Sequence, residues 1–303
     1  MMYNVIMAIV ETFGMFAVGG LAMWLKIIEE KDLNKLGRLI IDILFPMMVF
    51  ASITKNFDPT KLDELWIMPL LGFGLMLFGG IAGFGFRYCM TNRTPERMAT
   101  FHHYCAINNY LFLPYIILAN LWGQEYIPLL LIMNIGSTIG FWTIGIATMG
   151  GANLKQTIKN IFSINQIAVA LALIFCFVRI PVPEVIMTVF TKLGDASVPL
   201  MLMVIGAALF INAHQTLQNK FDVLCLSVVR LVIIPLMIIF ILKLLPLPEA
   251  AYRVTFVVAL MPVSVSSAMI ARRFGGDPNF AGQSIIVTTL ASIITIPLMM
   301  HLL

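Results

Sequence analysis

Two short polar runs inside apolar segments are where this chain could do chemistry. One reads Cys105-Ala-Ile-Asn-Asn-Tyr-Leu-Phe-Leu-Pro114, with Asn108 and Asn109 ahead of a proline. The other reads Leu260-Met-Pro-Val-Ser-Val-Ser-Ser-Ala268, with Pro262 followed by Ser264, Ser266 and Ser267. Proline lacks a backbone donor, and its ring clashes with the carbonyl one turn back, so a helix kinks or breaks there. Within a bilayer, backbone groups freed in this way must face protein or a wet cavity. If both helices unwind and cross, half-helix N-termini present free N–H groups and positive partial charge, which suit an anionic substrate. Asn108, Asn109, Pro114, Pro262, Ser264, Ser266 and Ser267 are therefore the core of a candidate substrate-binding set. The competing reading is a plain proline kink in each helix.

Neighbouring segments add hydroxyls and amides. One carries Asn134, Ser137, Thr138 and Thr143, the other Thr288, Thr289, Ser292 and Thr295. Asn134, Ser137 and Thr289 join the candidate set, Asn134 first because a mid-span amide needs a partner. The alternative for each is interhelical packing and hydrogen bonding. Four charges fall inside apolar segments: Glu11, Asp42, Asp195 and Arg230. Such residues are costly in a membrane and usually functional, so these four are candidates for coupling or charge balance. Asp195 also stands near an expected helix start, where an acid can cap. Arg230 could snorkel to the interface, balance an acid or hold an anion. His102 and His103 are expected at the interfacial end of their span.

The elements that must position these groups follow from composition. Of 303 residues, 60% are hydrophobic and 11% charged, against about 25% charged in a soluble domain. The chain is read as an all-α integral membrane protein, of the bacterial inner (plasma) membrane. Its net charge of +4 is scattered among loops, which argues against a nucleic-acid partner. Cys89, Cys105, Cys176 and Cys225 lie singly in apolar runs, without metal-ligand or disulfide spacing, and are expected as core-like thiols. Neither a metal nor a cofactor is expected, and the lack of a P-loop excludes ATP as the direct drive.

Ten stretches are long and apolar enough to cross a bilayer. They are about 5–25, 36–54, 66–88, 98–119, 127–148, 160–180, 194–212, 222–245, 250–272 and 281–302. The stretch 183–192 opens with Pro183-Glu184 and is expected as a surface lead-in. Loops after odd-numbered spans carry 12 Lys and Arg residues and the others 6, which places both termini on the non-cytoplasmic side. Asp42-Ile-Leu-Phe-Pro46 returns 153 residues later as Asp195-Ala-Ser-Val-Pro199. Ala119-Asn-Leu-Trp-Gly-Gln-Glu125 returns 152 residues later as Ala271-Arg-Arg-Phe-Gly-Gly-Asp277. The second echo is expected to end the two half-helices. Two echoes in one order imply a repeat of five spans, 1–150 and 151–303. An odd number of spans inverts the second copy, and inverted repeats place a substrate site near the midplane.

At these residues the chain resembles the auxin efflux carrier family, which includes bacterial dicarboxylate permease-like proteins and plant PIN exporters. The resemblance is strongest in Met261-Pro262, Ala271-Arg-Arg-Phe-Gly-Gly-Asp277 and Thr289-Leu-Ala-Ser292-Ile-Ile-Thr295-Ile-Pro297. It extends to Pro114, Gly123, Glu125, Asn134, Trp142-Thr143, Gly145 and Arg230-Leu-Val-Ile-Ile-Pro235. It implies ten helices, with spans 1, 2, 6 and 7 as a scaffold and spans 3–5 and 8–10 as a transport domain. It implies crossovers in spans 4 and 9, a fold shared with bile-acid/sodium symporters, and elevator-like movement of an organic anion. Ile107 and Phe112 depart from it, since the family often has Asn and Gly there.

The function expected is secondary transport of a small organic anion, such as a dicarboxylate or an auxin-like acid. The expected partners are that anion, H+ or Na+ as coupling ion, the lipid bilayer and a second copy in a homodimer. A sodium-coupled symporter of the bile-acid type is the nearest alternative. An intramembrane aspartyl enzyme using Asp42 and Asp195, or a transporter-like sensor, stands further off.

Overall fold

The computed structural model describes residues 2–58, 66–151, 163–213 and 220–303. Lys61, Lys155 and Lys159 of the loop-charge comparison and the expected start of span 6 at 160–162 lie outside them. The described residues are helical, without strands. The helices are α1 (Met2–Trp24), α2 (Glu30–Asn56), α3 (Ile67–Phe86), α4 (Pro95–Ala106), α5 (Phe112–Trp122) and α6 (Ile127–Gly140, continuing to Thr148). They continue with α7 (Ile164–Val178), α8 (Glu184–Asp195), α9 (Ser197–Ala213), α10 (Lys220–Leu244), α11 (Glu249–Ala259), α12 (Ser267–Arg273) and α13 (Pro278–Met300).

Seven helical stretches among the described residues are long and apolar enough to cross a membrane: α1, α2, α3, α6, α8 with α9, α10 and α13. These match seven of the ten expected spans. The residues expected for spans 4 and 9 are each divided into two short helices, α4 with α5 and α11 with α12. Of expected span 6, the described part is the short apolar helix α7.

One boundary is corrected. Residues 184–195 are not a surface lead-in but helix α8, which runs almost directly into α9 as one stretch, Glu184–Ile211. α8 packs along the second half of α2, where Phe50 meets Phe190 at 5.6 Å between ring centroids and Lys55 Nζ donates to Thr191 Oγ1 at 2.7 Å. Asp195 therefore ends α8 in mid-stretch and does not cap a helix start.

Proline accounts for three of the deviations in the long helices, whereas the π-turn Phe141–Gly145 of α6 has no proline near it. The ring of Pro46 crowds the carbonyl of Asp42, and α2 widens into a π-turn at Ile40–Leu44. Pro235 does the same to Leu231, inside the π-turn Val229–Ile233 of α10. Pro199 crowds the Asp195 carbonyl, where α8 gives way to α9. The Asp-x-x-x-Pro echo thus marks a backbone irregularity in each copy, a π-turn in α2 and a break between α8 and α9.

Glycine permits close helix contacts. A Cβ on Gly19 would lie 1.9 Å from the Met203 carbonyl oxygen, and one on Gly206 would lie 2.1 Å from that of Phe16. α1 and α9 are therefore in backbone contact, the close approach that small residues permit in membranes. The other echo also has a structural meaning. Gly123 (φ +89°) ends α5, and Gly275 (φ +76°) follows the end of α12, each in a backbone conformation suited to glycine. Cys105 is buried as expected for a core thiol, whereas Cys89 is exposed.

Candidate functional site

The two broken segments cross. Residues 107–111 separate α4 from α5, and 260–266 separate α11 from α12. Asn108 and Val263 pair as an antiparallel bridge. The Asn109 N–H donates to the Pro262 carbonyl at 2.8 Å, and the Ser264 N–H to the Ile107 carbonyl at 3.4 Å. The break in the first segment precedes Pro114, which sits in the first turn of α5, while Pro262 lies within the second break. Each chain thus supplies the other's missing hydrogen bonds, which backbone at membrane depth requires.

Two helix C-termini, of α4 and α11, end at this crossing. Their last carbonyls carry partial negative charge and lack helical donors. Arg230, on the π-turn of α10, satisfies them. Its guanidinium donates to the carbonyls of Cys105 (3.1 Å), Met261 (3.2 Å) and Ala259 (3.4 Å). The side chain is 2% exposed. It does not snorkel, and its partners are carbonyls rather than an acid. Asn108 adds a further tie, its Nδ2 donating to the Val258 carbonyl at 2.5 Å.

The structure brings Asn108, Asn109, Pro262 and Ser264 together here, all buried. Pro114 opens the adjoining α5, Ser267 opens α12 and is buried, and Ser266 is exposed. The Asn108 Oδ1 and Ser267 Oγ atoms are buried without a hydrogen-bond partner among the described residues. Asn134 and Ser137 lie on α6 and Thr289 on α13, each buried. Ser137 faces α3, since a Cβ on Gly72 would lie 2.8 Å from its hydroxyl. Thr143 and Thr288 donate to carbonyls of their own helices. His103 is fully buried within the protein, with Nδ1 2.8 Å from the Gly145 carbonyl.

A cavity of about 610 Å³ lies between α5 and the helices α1, α2, α8 and α9. Its charged lining is Glu11, Asp195 and Lys55, joined by Ser52, Asn56, Tyr115, Asn120, Gln124 and Thr191. Asn120 Nδ2 donates to Glu11 Oε2 at 3.0 Å, which ties α5 to α1. Two of the four expected membrane charges therefore share this cavity. Asp42 does not line it; about half exposed, it stands 3.8 Å from Arg38 on its own helix. None of the ten crossover and hydroxyl candidates lines it either.

Sequence reasoning missed the largest buried ionic cluster among the described residues. Arg97, 5% exposed, pairs with Asp222 and Asp277, each at 3.2 Å. Asp222 also accepts from the Thr91 N–H (2.7 Å), the Thr91 hydroxyl (2.9 Å) and the Asn92 N–H (3.2 Å). Asp277 caps α13 through the Asn279 and Phe280 N–H groups. This joins the N-terminal ends of α4, α10 and α13. The signal available was the acid that closes the second echo. Lys55 and Asn120 had none, since both stand near expected span ends.

Broken helices crossing inside an apolar helical array, beside a polar cavity, define a membrane transporter. The chain belongs to the membrane transport protein family, auxin efflux carrier-like, whose model matches residues 4–165 and 152–300. It is similar to an uncharacterized transporter of Methanothermobacter thermautotrophicus, 25% identical over 279 residues and 90% of each chain. It is also similar to one of Methanocaldococcus jannaschii, 22% identical over 282 residues and 90% of each chain.

Proposed function

We propose that the protein is a secondary transporter of a small organic anion that works by alternating access of an elevator type. The observation that carries this reading is the antiparallel crossing of two broken helices, with Arg230 neutralising both C-termini. That neutralisation leaves the N-terminus of the 11-residue α5, which like that of the short α12 has no side-chain cap, as an uncompensated positive end beside Asn108 and Asn109. The reading takes the chain as ten spans in two inverted repeats, 1–150 and 151–303, with both termini on the non-cytoplasmic side of the plasma membrane. Support for a scaffold of spans 1, 2, 6 and 7 comes from the backbone contact of α1 with α9 and the packing of α8 on α2. Support for a transport body of spans 3–5 and 8–10 comes from the Arg97 cluster and Arg230, which tie α4, α10, α11 and α13 together. The cavity lies where those bodies meet, and Glu11 and Asp195 in its wall are the candidate proton-coupling groups.

The test is uptake into proteoliposomes across dicarboxylates and aromatic acids, with pH, sodium and voltage gradients imposed separately. Concentrative movement of at least one acid is expected, and the gradient that drives it names the coupling ion. Movement of no acid under any gradient would overturn the reading.

A further inference from the structure

The cavity between α5 and the α1, α2, α8 and α9 helices carries both signs of charge, with the negative sign in excess. Glu11 and Asp195 face one lysine, Lys55, whose ammonium already donates to Thr191. A free dicarboxylate entering this space meets two like charges and one opposite. Like-charge juxtaposition opposes association, and complementary charge steers it. An acid that also carries an ammonium group meets a complementary wall.

The geometry supports such an occupant. Among the described residues no hydrogen bond or ion pair engages the Asp195 carboxylate, which is exposed to the cavity. Glu11 is oriented by the Asn120 amide at Oε2, which leaves Oε1 open for a second donor. Lys55 keeps two further N–H donors for a carboxylate, and the amides of Asn56 and Gln124 stand in the same wall. A cavity of about 610 Å³ falls within the range that holds small ligands.

We propose that this cavity is an entry station for a zwitterionic acid of amino-acid size. Glu11 and Asp195 hold its ammonium, and Lys55 holds its carboxylate. The inference rests on the small-organic-acid reading above and narrows its substrate class. Glu11, Lys55 and Asp195 stand on α1, α2 and α8, while α5 and the turn after it contribute Asn120 and Gln124, so an occupant that touches both sets bridges the two bodies before passing to the crossing.

The full chain, purified in detergent, is titrated with matched acids: aspartate against succinate, glutamate against glutarate, and γ-aminobutyrate against butyrate. In at least one pair the amino member should bind about tenfold tighter or more. Asp195→Asn and Glu11→Gln should each weaken it roughly 10- to 100-fold, the range of one charge-assisted hydrogen bond. If Glu11→Gln disturbs folding through Asn120, Asp195→Asn decides the matter, since its carboxylate makes no hydrogen bond or ion pair among the described residues. Equal or tighter binding of the amine-free acid in every pair overturns the inference, as does wild-type affinity in Asp195→Asn. Uptake of amine-free acids with those results leaves the carrier reading standing; a wild-type protein that neither binds nor moves any acid defeats both.

Discussion

Arg230 offers the sharpest test of how the crossing is held. Replacing it by Met keeps an unbranched apolar stem and removes every donor. Three carbonyls, of Cys105, Ala259 and Met261, then lose their partner in a buried site. A buried polar group left unsatisfied costs about 1–3 kcal/mol, so the sum runs from about 3 to about 9 kcal/mol. Against this stands the relief of no longer burying a guanidinium, itself several kcal/mol. Backbone carbonyls cannot be substituted along with their partner, so the balance stays unfavourable, and we expect a net loss of about 3 kcal/mol. That is a large share of a typical folding stability of about 5–15 kcal/mol. Lys presents one point charge in place of a planar fork, so Arg230→Lys should lose part of this and fall between. The assay is thermal unfolding in detergent beside acid uptake in proteoliposomes. Arg230→Met should lower the melting temperature and abolish uptake together. A variant with wild-type melting and lost acid binding would refute the reasoning, because it would make Arg230 a substrate ligand.

Asn108→Ala removes the bond to the Val258 carbonyl and should cost about 1–3 kcal/mol in unfolding as well as weakening acid binding. Asn109→Ala should keep wild-type stability, since Asn109 enters the crossing through its backbone N–H, and any loss it causes should be in binding titrations. Asp222→Asn leaves Arg97 short of a buried partner and should cost about 3–5 kcal/mol in thermal unfolding, with expression falling accordingly. Gly19→Ala forces apart α1 and α9 and should cost about 1–3 kcal/mol or more. Gly14→Ala, in open space on the same helix, should be neutral or stabilise by about 0.5–1 kcal/mol in the same melting assay.

Much of the fold was legible because its signals are local. Apolar runs of sufficient length gave the seven long helices, and the two polar proline runs gave the two breaks. Gly123 and Gly275 end their half-helices as the echo suggested. The extent of α8 was misjudged because Pro183-Glu184 reads as a loop start, whereas proline is also well placed just before a helix. Arg230 was visible as a costly charge, but its partners were not. They are carbonyls, which every residue carries and no residue type advertises.

The sequence by itself determined that this chain is an apolar helical membrane protein with two interrupted helices, because hydropathy and proline stereochemistry act within a turn or two. Only the tertiary structure decided which polar groups meet. Glu11, Lys55, Asn120 and Asp195 stand far apart in the chain and face one cavity, and the C-termini of α4 and α11 converge on one arginine from a third helix. Such convergence depends on how helices pack and at what angle they cross. In a bilayer, where apolar faces gain nothing from one another over lipid, packing is set by small residues and by backbone groups seeking partners.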